Sequence, residues 1–421
     1  MLVEFRVKNF RSLKDEQVLS FVSSKADKTF ASTHCMATEH KPVPSLTRSA
    51  LIYGANAAGK SNLMFALATM RNLVLGASVS GTRLSDHYTP FLLSRDSATD
   101  PTEFEVSVII DSKRYQYGFA YDGVRVRREW LLVYEHARAQ RWFERSADYS
   151  DKEDQWEAFS AYFSGPKETW KRATRRNALF LTTAVQLNSE QLAPLFNWFE
   201  NGIILLTGGI NLLPTLQRLE SQSYKSRILD LLQAADIHVS DIRVEKKQGQ
   251  QVELKLESEK PSEFRTSDVE IPEIEFCHQI EGEDPVWFDR RFESAGTQRA
   301  LAYAGPLLDA LENRKLLVID ELDGSLHPLL ARFLVRLVHT PEIAGKGAQL
   351  WATTHDTSLL DTKLLRRDQI WFVEKSAEHA TELYSLSDFK PRKNDLIERG
   401  YLLGRYGGIP FVRDLDLANS W

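Results

Sequence analysis

The first 21 residues alternate apolar and polar side chains, which is the pattern of strands in a sheet with one buried face. The apolar positions are Leu2, Phe5, Val7, Phe10, Leu13, Val18 and Phe21. Further strand-like runs lie at residues 102–110, 114–121 and 124–133, and the Asp122-Gly123 dipeptide before the last of them is typical of a hairpin turn. The N-terminal part of the chain is therefore expected to form a small sheet.

Three short runs are apolar or β-rich throughout instead of alternating, at residues 49–53, 316–319 and 349–353. Such strands are typical of the centre of a parallel sheet, where both faces are buried. A helical pattern at residues 62–75 follows the first run after a glycine-rich turn. Together these features predict the α/β fold class.

The pattern becomes mostly helical from about residue 136 to residue 235. Strand-like runs return at residues 239–246, 252–257 and 274–280. We therefore predict an α/β head that is built from both ends of the chain, interrupted by a mostly helical insert. The predicted parts are residues 1–135, the insert at 136–235, and residues 236–421.

Composition and charge restrict the class of protein. The 421 residues include 43% hydrophobic side chains, and 53 Lys and Arg stand against 58 Asp and Glu, which gives a net charge of −5. A globally basic surface for nucleic acid is therefore not expected, and two cysteines exclude a disulfide framework. The longest uncharged run, residues 201–217, is too short and too polar to span a bilayer. We expect a soluble, cytoplasmic protein with no membrane partner.

The glycine-rich turn at residues 54–61 has the pattern G-x-x-x-x-G-K-[ST], between a predicted strand and a predicted helix. Backbone N–H groups of such a loop and the helix N-terminus attract phosphate. Lys60 is expected to reach the β- and γ-phosphates of ATP, and Ser61 to ligate Mg²⁺. The alternative is a glycine-rich turn that arises by chance. The predicted nucleotide-binding residues here are Gly54, Asn56, Ala57, Ala58, Gly59, Lys60, Ser61 and Asn62.

Two carboxylates follow the apolar run at 316–319. Asp320, at the carboxyl end of that predicted strand, is suited to the Mg²⁺ shell, and Glu321 is suited to orient or deprotonate the attacking water. The alternative is a core strand followed by two surface acids. His355 comes just after the strand-like run at 349–353 and is predicted to contact the γ-phosphate. A lone histidine in this place is usually structural, but its spacing of 35 residues after Asp320 favours the functional interpretation.

A turn of small residues, Ser294 to Gln298, precedes a helical run at 300–311 and forms another candidate anion site. The order of phosphate loop, Ser-x-Gly-x-Gln turn, Asp-Glu strand and Thr-His strand resembles the ABC-type ATPase head of SMC-like and RecF-like proteins. The resemblance implies that Ser294 and Gly296 form the signature motif. It also implies that the signature of one subunit completes the ATP site of another, in a homodimer or a ring of dimers.

Several further segments carry a closer resemblance over essentially the whole chain. They are VKNFRSLKDEQVLSF near the start, residues 293–298, Leu326-His327-Pro328, LLRRDQIWFVEK (364–375), TELYSLSDF (381–389) and GRYGGIP (404–410). They resemble prokaryotic stand-alone ABC-type ATPases of the RloA and AbiLii group, which is similar to the AriA ATPase of the PARIS anti-phage system. This resemblance implies an ATP-gated sensor and scaffold in abortive infection, which controls a separate effector nuclease and responds to a phage-encoded trigger.

The sequence departs from the ABC pattern at two positions, and there are two alternative hypotheses for the function. The stretch 87–91, where a Q-loop is expected, contains no glutamine, and His327 stands where many ABC proteins have aspartate. The main alternative function is a RecF-like DNA-repair ATPase that binds DNA directly. It is favoured by a predicted basic helix face, and a housekeeping ATPase is the third hypothesis. The basic face consists of Lys167, Lys171, Arg172, Arg175 and Arg176.

Overall fold

The computed structural model describes residues 1–76, 83–135, 137–150, 152–255, 263–340, 347–392 and 395–410. Its strands are β1 (Leu2–Lys8), β2 (Gln17–Ser20), β3 (Cys35–Ala37), β4 (Ser45–Thr47), β5 (Ser49–Gly54), β6 (Thr102–Ile110), β7 (Lys113–Tyr121), β8 (Val126–Tyr134), β9 (Gln140–Ser146), β10 (Gln155–Trp156), β11 (Ile203–Leu206), β12 (Asp241–Lys255), β13 (Glu263–His278), β14 (Val286–Asp289), β15 (Leu316–Ile319), β16 (Gln349–Thr353), β17 (Ile370–Lys375) and β18 (Thr381–Ser385). Its helices are α1 (Ala31–His34), α2 (Lys60–Leu75), α3 (Leu84–His87), α4 (Lys167–Ala173), α5 (Phe180–Gln186), α6 (Ala193–Asn201), α7 (Leu213–Leu219), α8 (Gln222–Ala234), α9 (Ala295–Asn313), α10 (Pro328–His339) and α11 (Ile397–Leu402). Within the described residues, no helix has the length and apolar character that a membrane span requires.

A six-stranded sheet of order β11-β15-β16-β5-β17-β18 carries the three predicted central strands as neighbours. Its first five strands run parallel, and β18 pairs antiparallel with β17. Every position of β5, β15 and β16 is buried, which agrees with their mainly apolar sequences. The parallel arrangement brings the carboxyl ends of β5, β15 and β16 to the same end of the sheet.

A seven-stranded antiparallel sheet of order β10-β9-β8-β7-β6-β1-β2 contains the alternating N-terminal runs, and β7 and β8 form the predicted hairpin. Its apolar side chains share one core with the parallel sheet, as in the Phe5 and Trp351 rings, whose centroids are 5.8 Å apart. Leu67 of α2 and Tyr117 of β7 belong to the same cluster. The core therefore fixes α2, whose first residue is Lys60, on the parallel sheet.

The segment 136–235, predicted as a helical insert, contains α4 to α8 but also three strands. β9 and β10 extend the antiparallel sheet, and β11 is an edge strand of the parallel sheet. The hydrophobic pattern does not predict β9, because charged residues of this strand pair with residues of β8. Arg145, for example, pairs with Glu129 at 2.8 Å. Cross-strand ion pairs therefore contribute to the stability of β9, and its sequence lacks an apolar repeat.

The described residues separate into two compact units. The first unit comprises Met1–Gly208, Ala310–Gly324 and the residues from Ala331 onward, and the second comprises Gly209–Asp309 and Ser325–Leu330. These limits do not coincide with residues 135 and 235, and the three-part division of the sequence stays a prediction.

The second unit combines α7, α8 and most of α9 with the antiparallel sheet β12-β13-β14. The predicted strands 239–246 and 252–257 are parts of one strand, which begins at Asp241 and is described as far as Lys255, and residues 256 and 257 lie outside the described residues. Pro306 lies inside α9 and lacks the N–H that the Ala302 carbonyl would accept. The Thr215 hydroxyl lies 2.9 Å from the Leu301 carbonyl oxygen and 3.2 Å from the Ala302 carbonyl oxygen, so its one proton is shared between these two acceptors beside the proline.

The basic helix face predicted from residue 167 to residue 176 is wrong. Helix α4 ends at Ala173, and the carbonyl of Arg176 accepts a hydrogen bond from the Val126 backbone N–H at 2.8 Å. The chain leaves the helical path because it pairs with the start of β8. Arg175 and Arg176 therefore do not continue the face that Lys167 and Lys171 begin.

Candidate functional site

The glycine-rich loop joins the buried strand β5 to helix α2, and two of its glycines are required by close contacts. A Cβ atom on Gly54 would come within 2.5 Å of the Val373 carbonyl oxygen. Gly59 has a φ of +111°, and a Cβ there would overlap the Thr381 hydroxyl. Only glycine fits both positions, so the loop backbone is free of side chains where it wraps the start of α2.

Lys60 begins α2 and is only 7% exposed. Its ammonium donates hydrogen bonds to the carbonyl oxygens of Gly54 at 2.8 Å and Ala55 at 3.0 Å. Burial lowers the pKa of Lys60 to about 8, against the opposing charges of Asp320, Asp323 and Glu321. The loop thus holds a largely protonated, poorly solvated cation whose charge a bound anion would stabilise.

The two predicted acids follow β15, and β16 positions them. The Thr353 hydroxyl donates to Asp320 Oδ1 at 2.6 Å and accepts from the Glu321 backbone N–H at 2.8 Å. Glu321 has a φ of +53°, a left-handed conformation that costs about 1–3 kcal/mol for a non-glycine residue and clusters at functional sites. One hydroxyl therefore orients the Asp320 carboxylate and holds the backbone of Glu321.

His355 follows the end of β16, and its backbone N–H donates to Asp323 Oδ1 at 3.1 Å. Partial burial lowers the pKa of its imidazole, and the positive charge of Lys60 lowers it further, against the nearby carboxylates. A neutral imidazole at pH 7 can donate one hydrogen bond and accept another.

These side chains meet at one cavity of about 490 Å³. Its lining is Asn56, Ala57, Gly59, Lys60, Ser61, Asn62, Glu321 and His355. Gly54 and Ala58 are buried behind the loop instead, and Asp320 lies beside the cavity, where its charge acts on Lys60. The structure therefore brings together residues that the sequence places up to 299 positions apart (Asn56 and His355).

The predicted signature residues Ser294 and Gly296 belong to the second unit and are not among the residues that line this cavity. The Ser294 hydroxyl accepts a hydrogen bond from the Thr297 backbone N–H at 3.0 Å, at the start of the 19-residue helix α9. The side chain of Ser294 is exposed. The turn thus has the form of a helix N-terminus that is open to an anion.

The two positions at which the sequence departs from the ABC pattern, segment 87–91 and His327, form hydrogen bonds with neighbouring residues. Segment 87–91 docks on the N-terminal turn, where the Phe91 backbone N–H donates to Asn9 Oδ1 at 2.9 Å, and it does not line the cavity. His327 accepts a hydrogen bond from the Leu329 backbone N–H at 3.3 Å, in the first turn of α10.

Three residues that support the loop were not predicted as site residues. The Thr381 hydroxyl donates to the Ala58 carbonyl at 2.7 Å and lies 2.7 Å from the Ser12 hydroxyl, which accepts from the Asn62 amide at 2.7 Å. The Arg11 guanidinium lies 4.5 Å from the centre of the Phe65 ring on α2. The run VKNFRS contains Arg11 and Ser12, but nothing in the local sequence shows that it contacts a loop some 50 residues later.

Comparison with known proteins gives one family match. The AAA_21 family, described as "AAA domain, putative AbiEii toxin, Type IV TA system", matches residues 49–361. A search of curated proteins finds no match to the sequence.

Two solved structures are similar over nearly the whole chain. The crystal structure of an Smc head bound to the C-winged helix domain of ScpA is 13% identical, covers 93% of this chain and 99% of that chain, and has a TM-score of 0.43. An Smc head domain with an extended coiled coil, bound to the C-terminal domain of ScpA and derived from Pyrococcus furiosus, is 15% identical, with 92% and 97% coverage and a TM-score of 0.45.

The family assignment rests on the AAA_21 match. The matched region includes the phosphate loop, both acidic residues, His355 and every other residue that lines the cavity. The α/β P-loop ATPase head that the sequence predicts is confirmed, and the chain belongs to the AAA_21 family of AAA-type ATPases.

Proposed function

We propose that the protein binds ATP with Mg²⁺ in the 490 Å³ cavity, hydrolyses it, and uses the cycle to hold and release a separate effector nuclease. In this proposal it is a cytoplasmic, ATP-gated sensor and scaffold of anti-phage defence that responds to a phage-encoded trigger. The observation that carries the nucleotide part is the convergence of Lys60, Glu321 and His355 on one cavity. The resemblance to the RloA and AbiLii group carries the defence part.

The roles in the cavity follow from charge and position. The backbone N–H groups of the loop and the Lys60 ammonium bind the phosphates, and Lys60 neutralises charge that develops between the β- and γ-phosphates. Ser61 and Asp320 present the oxygen ligands that Mg²⁺ prefers, and a bound Mg²⁺ supplies further charge neutralisation. The Thr353 hydroxyl keeps the Asp320 carboxylate in one orientation.

Glu321 is proposed as the general base. Its carboxylate lines the cavity together with Lys60, so it faces the same space as the phosphates that Lys60 would bind. There it accepts the proton of the attacking water or orients that water. His355 contacts the γ-phosphate from the neighbouring strand, and the loss of that contact after hydrolysis signals the change of state.

The ATP site is proposed to be completed by a second copy of the chain. Ser294 is exposed at the N-terminus of α9, which suits binding of a phosphate on another subunit. The resemblance to ABC-type heads supports this arrangement, since the signature acts across subunits in such heads. ATP held between two copies would favour a closed dimer, and hydrolysis would release it.

Direct DNA binding, as in a RecF-like repair ATPase, is less favoured, because the basic helix face that was its main evidence is shorter than predicted. The basic face on which that function depended ends at Ala173. Lys171 lies 5.7 Å from the centre of the Trp156 ring, and Lys167 donates to the Ser160 carbonyl at 3.2 Å. These two cations have partners within the chain, so the scaffold function is preferred.

The test is co-purification of the chain with the product of its neighbouring gene, with and without ATP. Wild type is expected to hold the effector in one nucleotide state only, Lys60→Ala to stay in the nucleotide-free state, and Glu321→Gln to stay in the ATP state. If all three proteins retain the effector equally with and without ATP, nucleotide does not gate it. Retention of duplex DNA in place of a protein would favour the repair function.

A further inference from the structure

A second cavity, of about 550 Å³, lies at the end of the parallel sheet opposite the phosphate loop. Its lining includes Arg48, Arg314 and Gly347, each of which lies one or two positions before the first residue of β5, β15 or β16. The carboxyl ends of these three neighbouring strands carry the nucleotide cavity. The two cavities share no lining residue, so the second one is a separate site.

Arg48 differs from the other residues that line this cavity because its guanidinium is buried and has no partner among the described residues. It is 5% exposed, its side chain forms no hydrogen bond or ion pair with any described residue, and its Nε is buried without an acceptor. Arg145 and Arg366 are just as buried, yet each is paired with a carboxylate, Glu129 at 2.8 Å and Asp368 at 2.6 Å. A buried guanidinium without a partner destabilises a fold, so its presence at a cavity points to a ligand that supplies the missing anion.

The surroundings of Arg48 do not offset its charge. Burial lowers the pKa of Arg48, and the thiol of Cys35 is the neighbour that opposes the shift. Burial also lowers the pKa of the His34 and His339 imidazoles, and the positive charge of Arg48 contributes in both cases. The two imidazoles are therefore neutral at pH 7, and the inner end of the cavity carries the positive charge of Arg48.

The rest of the lining is partly apolar, and charged side chains lie at the mouth of the cavity. Met36, Ile109 and Trp198 line it and are each less than a tenth exposed. Arg314 and Asp111, both exposed, stand at the opening with opposite charges. A cation at the buried end and apolar walls above it fit a ligand with an anionic head and an apolar body.

We propose that this cavity binds a small amphipathic anion, whose carboxylate or phosphate head pairs with the Arg48 guanidinium and whose apolar part packs against Ile109 and Trp198. The planar guanidinium matches both head groups because it can donate two parallel hydrogen bonds. The site is independent of the proposed ATPase activity.

Fluorine NMR on the full chain tests the proposal with two probes, para-fluorobenzoate and para-fluorophenyl phosphate. ADP is added in excess so that the phosphate loop does not compete for the phosphate probe. Wild type is expected to broaden the signal of at least one probe at millimolar concentration, and the preferred probe identifies the head group. Arg48→Met is expected to weaken binding about tenfold to a hundredfold, the loss of a charge-assisted pair, and Arg48→Lys to weaken it less.

A second variant keeps the test decisive if Arg48→Met fails to fold. Ala37 lines the cavity and is exposed, so Ala37→Trp should block the cavity without disturbing the core. The site is supported if the Ala37→Trp protein no longer binds the probes and the Lys60→Ala protein binds them as well as wild type. The proposal is overturned if wild type binds neither probe, or if the Ala37→Trp protein and a folded Arg48→Met protein bind as well as wild type.

Discussion

Burial of the Lys60 ammonium lowers its pKa, and the poorly solvated charge favours binding of an anionic ligand. Two backbone carbonyls hold the ammonium, and burial lowers its pKa to about 8 from 10.5. A bound polyanion favours the charged form, so the nucleotide and the proton bind cooperatively. The sequence motif identifies the lysine, but the lowered pKa depends on the surrounding fold.

The affinity for ATP is therefore expected to depend on pH. Below pH 8 the free site already carries the proton, and above it each pH unit should weaken ATP binding by up to roughly tenfold, until the pKa of the bound state is reached. The phosphates of ATP are already ionised in this range, so they add no pH dependence of their own. Calorimetric titration between about pH 7 and pH 9.5 measures the effect. A constant dissociation constant over that range would contradict the lowered pKa, and Lys60→Arg, charged throughout, is the control.

Strand β18 supports the phosphate loop, although none of its residues lines the cavity. Thr381 is 1% exposed, and its hydroxyl bonds the Ala58 carbonyl. Thr381→Val keeps the shape but removes the hydroxyl, which should cost about 1–3 kcal/mol and loosen the loop. We expect weaker ATP binding and a lower melting temperature, measured by calorimetry and thermal unfolding. Thr381→Ser, which retains the hydroxyl, should behave almost as wild type, and equal losses in both variants would refute the role of the hydroxyl.

A buried ion pair joins β8 to β9 and to the start of α5. Glu129 is 0% exposed, pairs with Arg145, and accepts the backbone N–H groups of Phe180 at 2.7 Å and Leu181 at 3.0 Å. Glu129→Gln removes one of the two carboxylates that pair with the buried Arg145, the other being Asp154 at 2.9 Å, and should lower the free energy of unfolding by about 1.5–3 kcal/mol. Glu144→Gln on β9, whose arginine partners are exposed, should lower it by about 0–1 kcal/mol. Denaturant unfolding of both variants measures the difference, and similar losses would show that the buried pair stabilises the fold no more than the exposed one.

The elements that the sequence predicts well are those whose stability is local or periodic. The apolar runs at 316–319 and 349–353 coincide with β15 and β16 because both faces of these strands are buried. The motif of the phosphate loop is contiguous and needs no tertiary information. β9 and the support from Thr381 were missed because charged cross-strand pairs and a contact over some 300 residues leave no periodic signal.

At the scale of the whole molecule, two copies of the chain are proposed to complete each site. Ser294→Arg should leave ATP binding by its own subunit intact, because Ser294 does not line the cavity, yet block hydrolysis. Mixed with Lys60→Ala, it should regain part of the activity, since one subunit then supplies the phosphate loop and the other the signature. Phosphate release by the mixture measures this. No recovery in mixtures shown to contain mixed dimers would rule out signature action across subunits.

The cavity at the carboxyl ends of β5, β15 and β16 is proposed to bind ATP and to hydrolyse it with Glu321 as the base. The most direct test is single-turnover phosphate release by Glu321→Gln, measured on protein that retains ATP. The amide cannot accept the proton of water, so we expect ATP binding like wild type and hydrolysis slowed about 10²–10⁴-fold, whereas Lys60→Ala is expected not to retain ATP. Turnover of Glu321→Gln at the wild-type rate would exclude Glu321 as the general base.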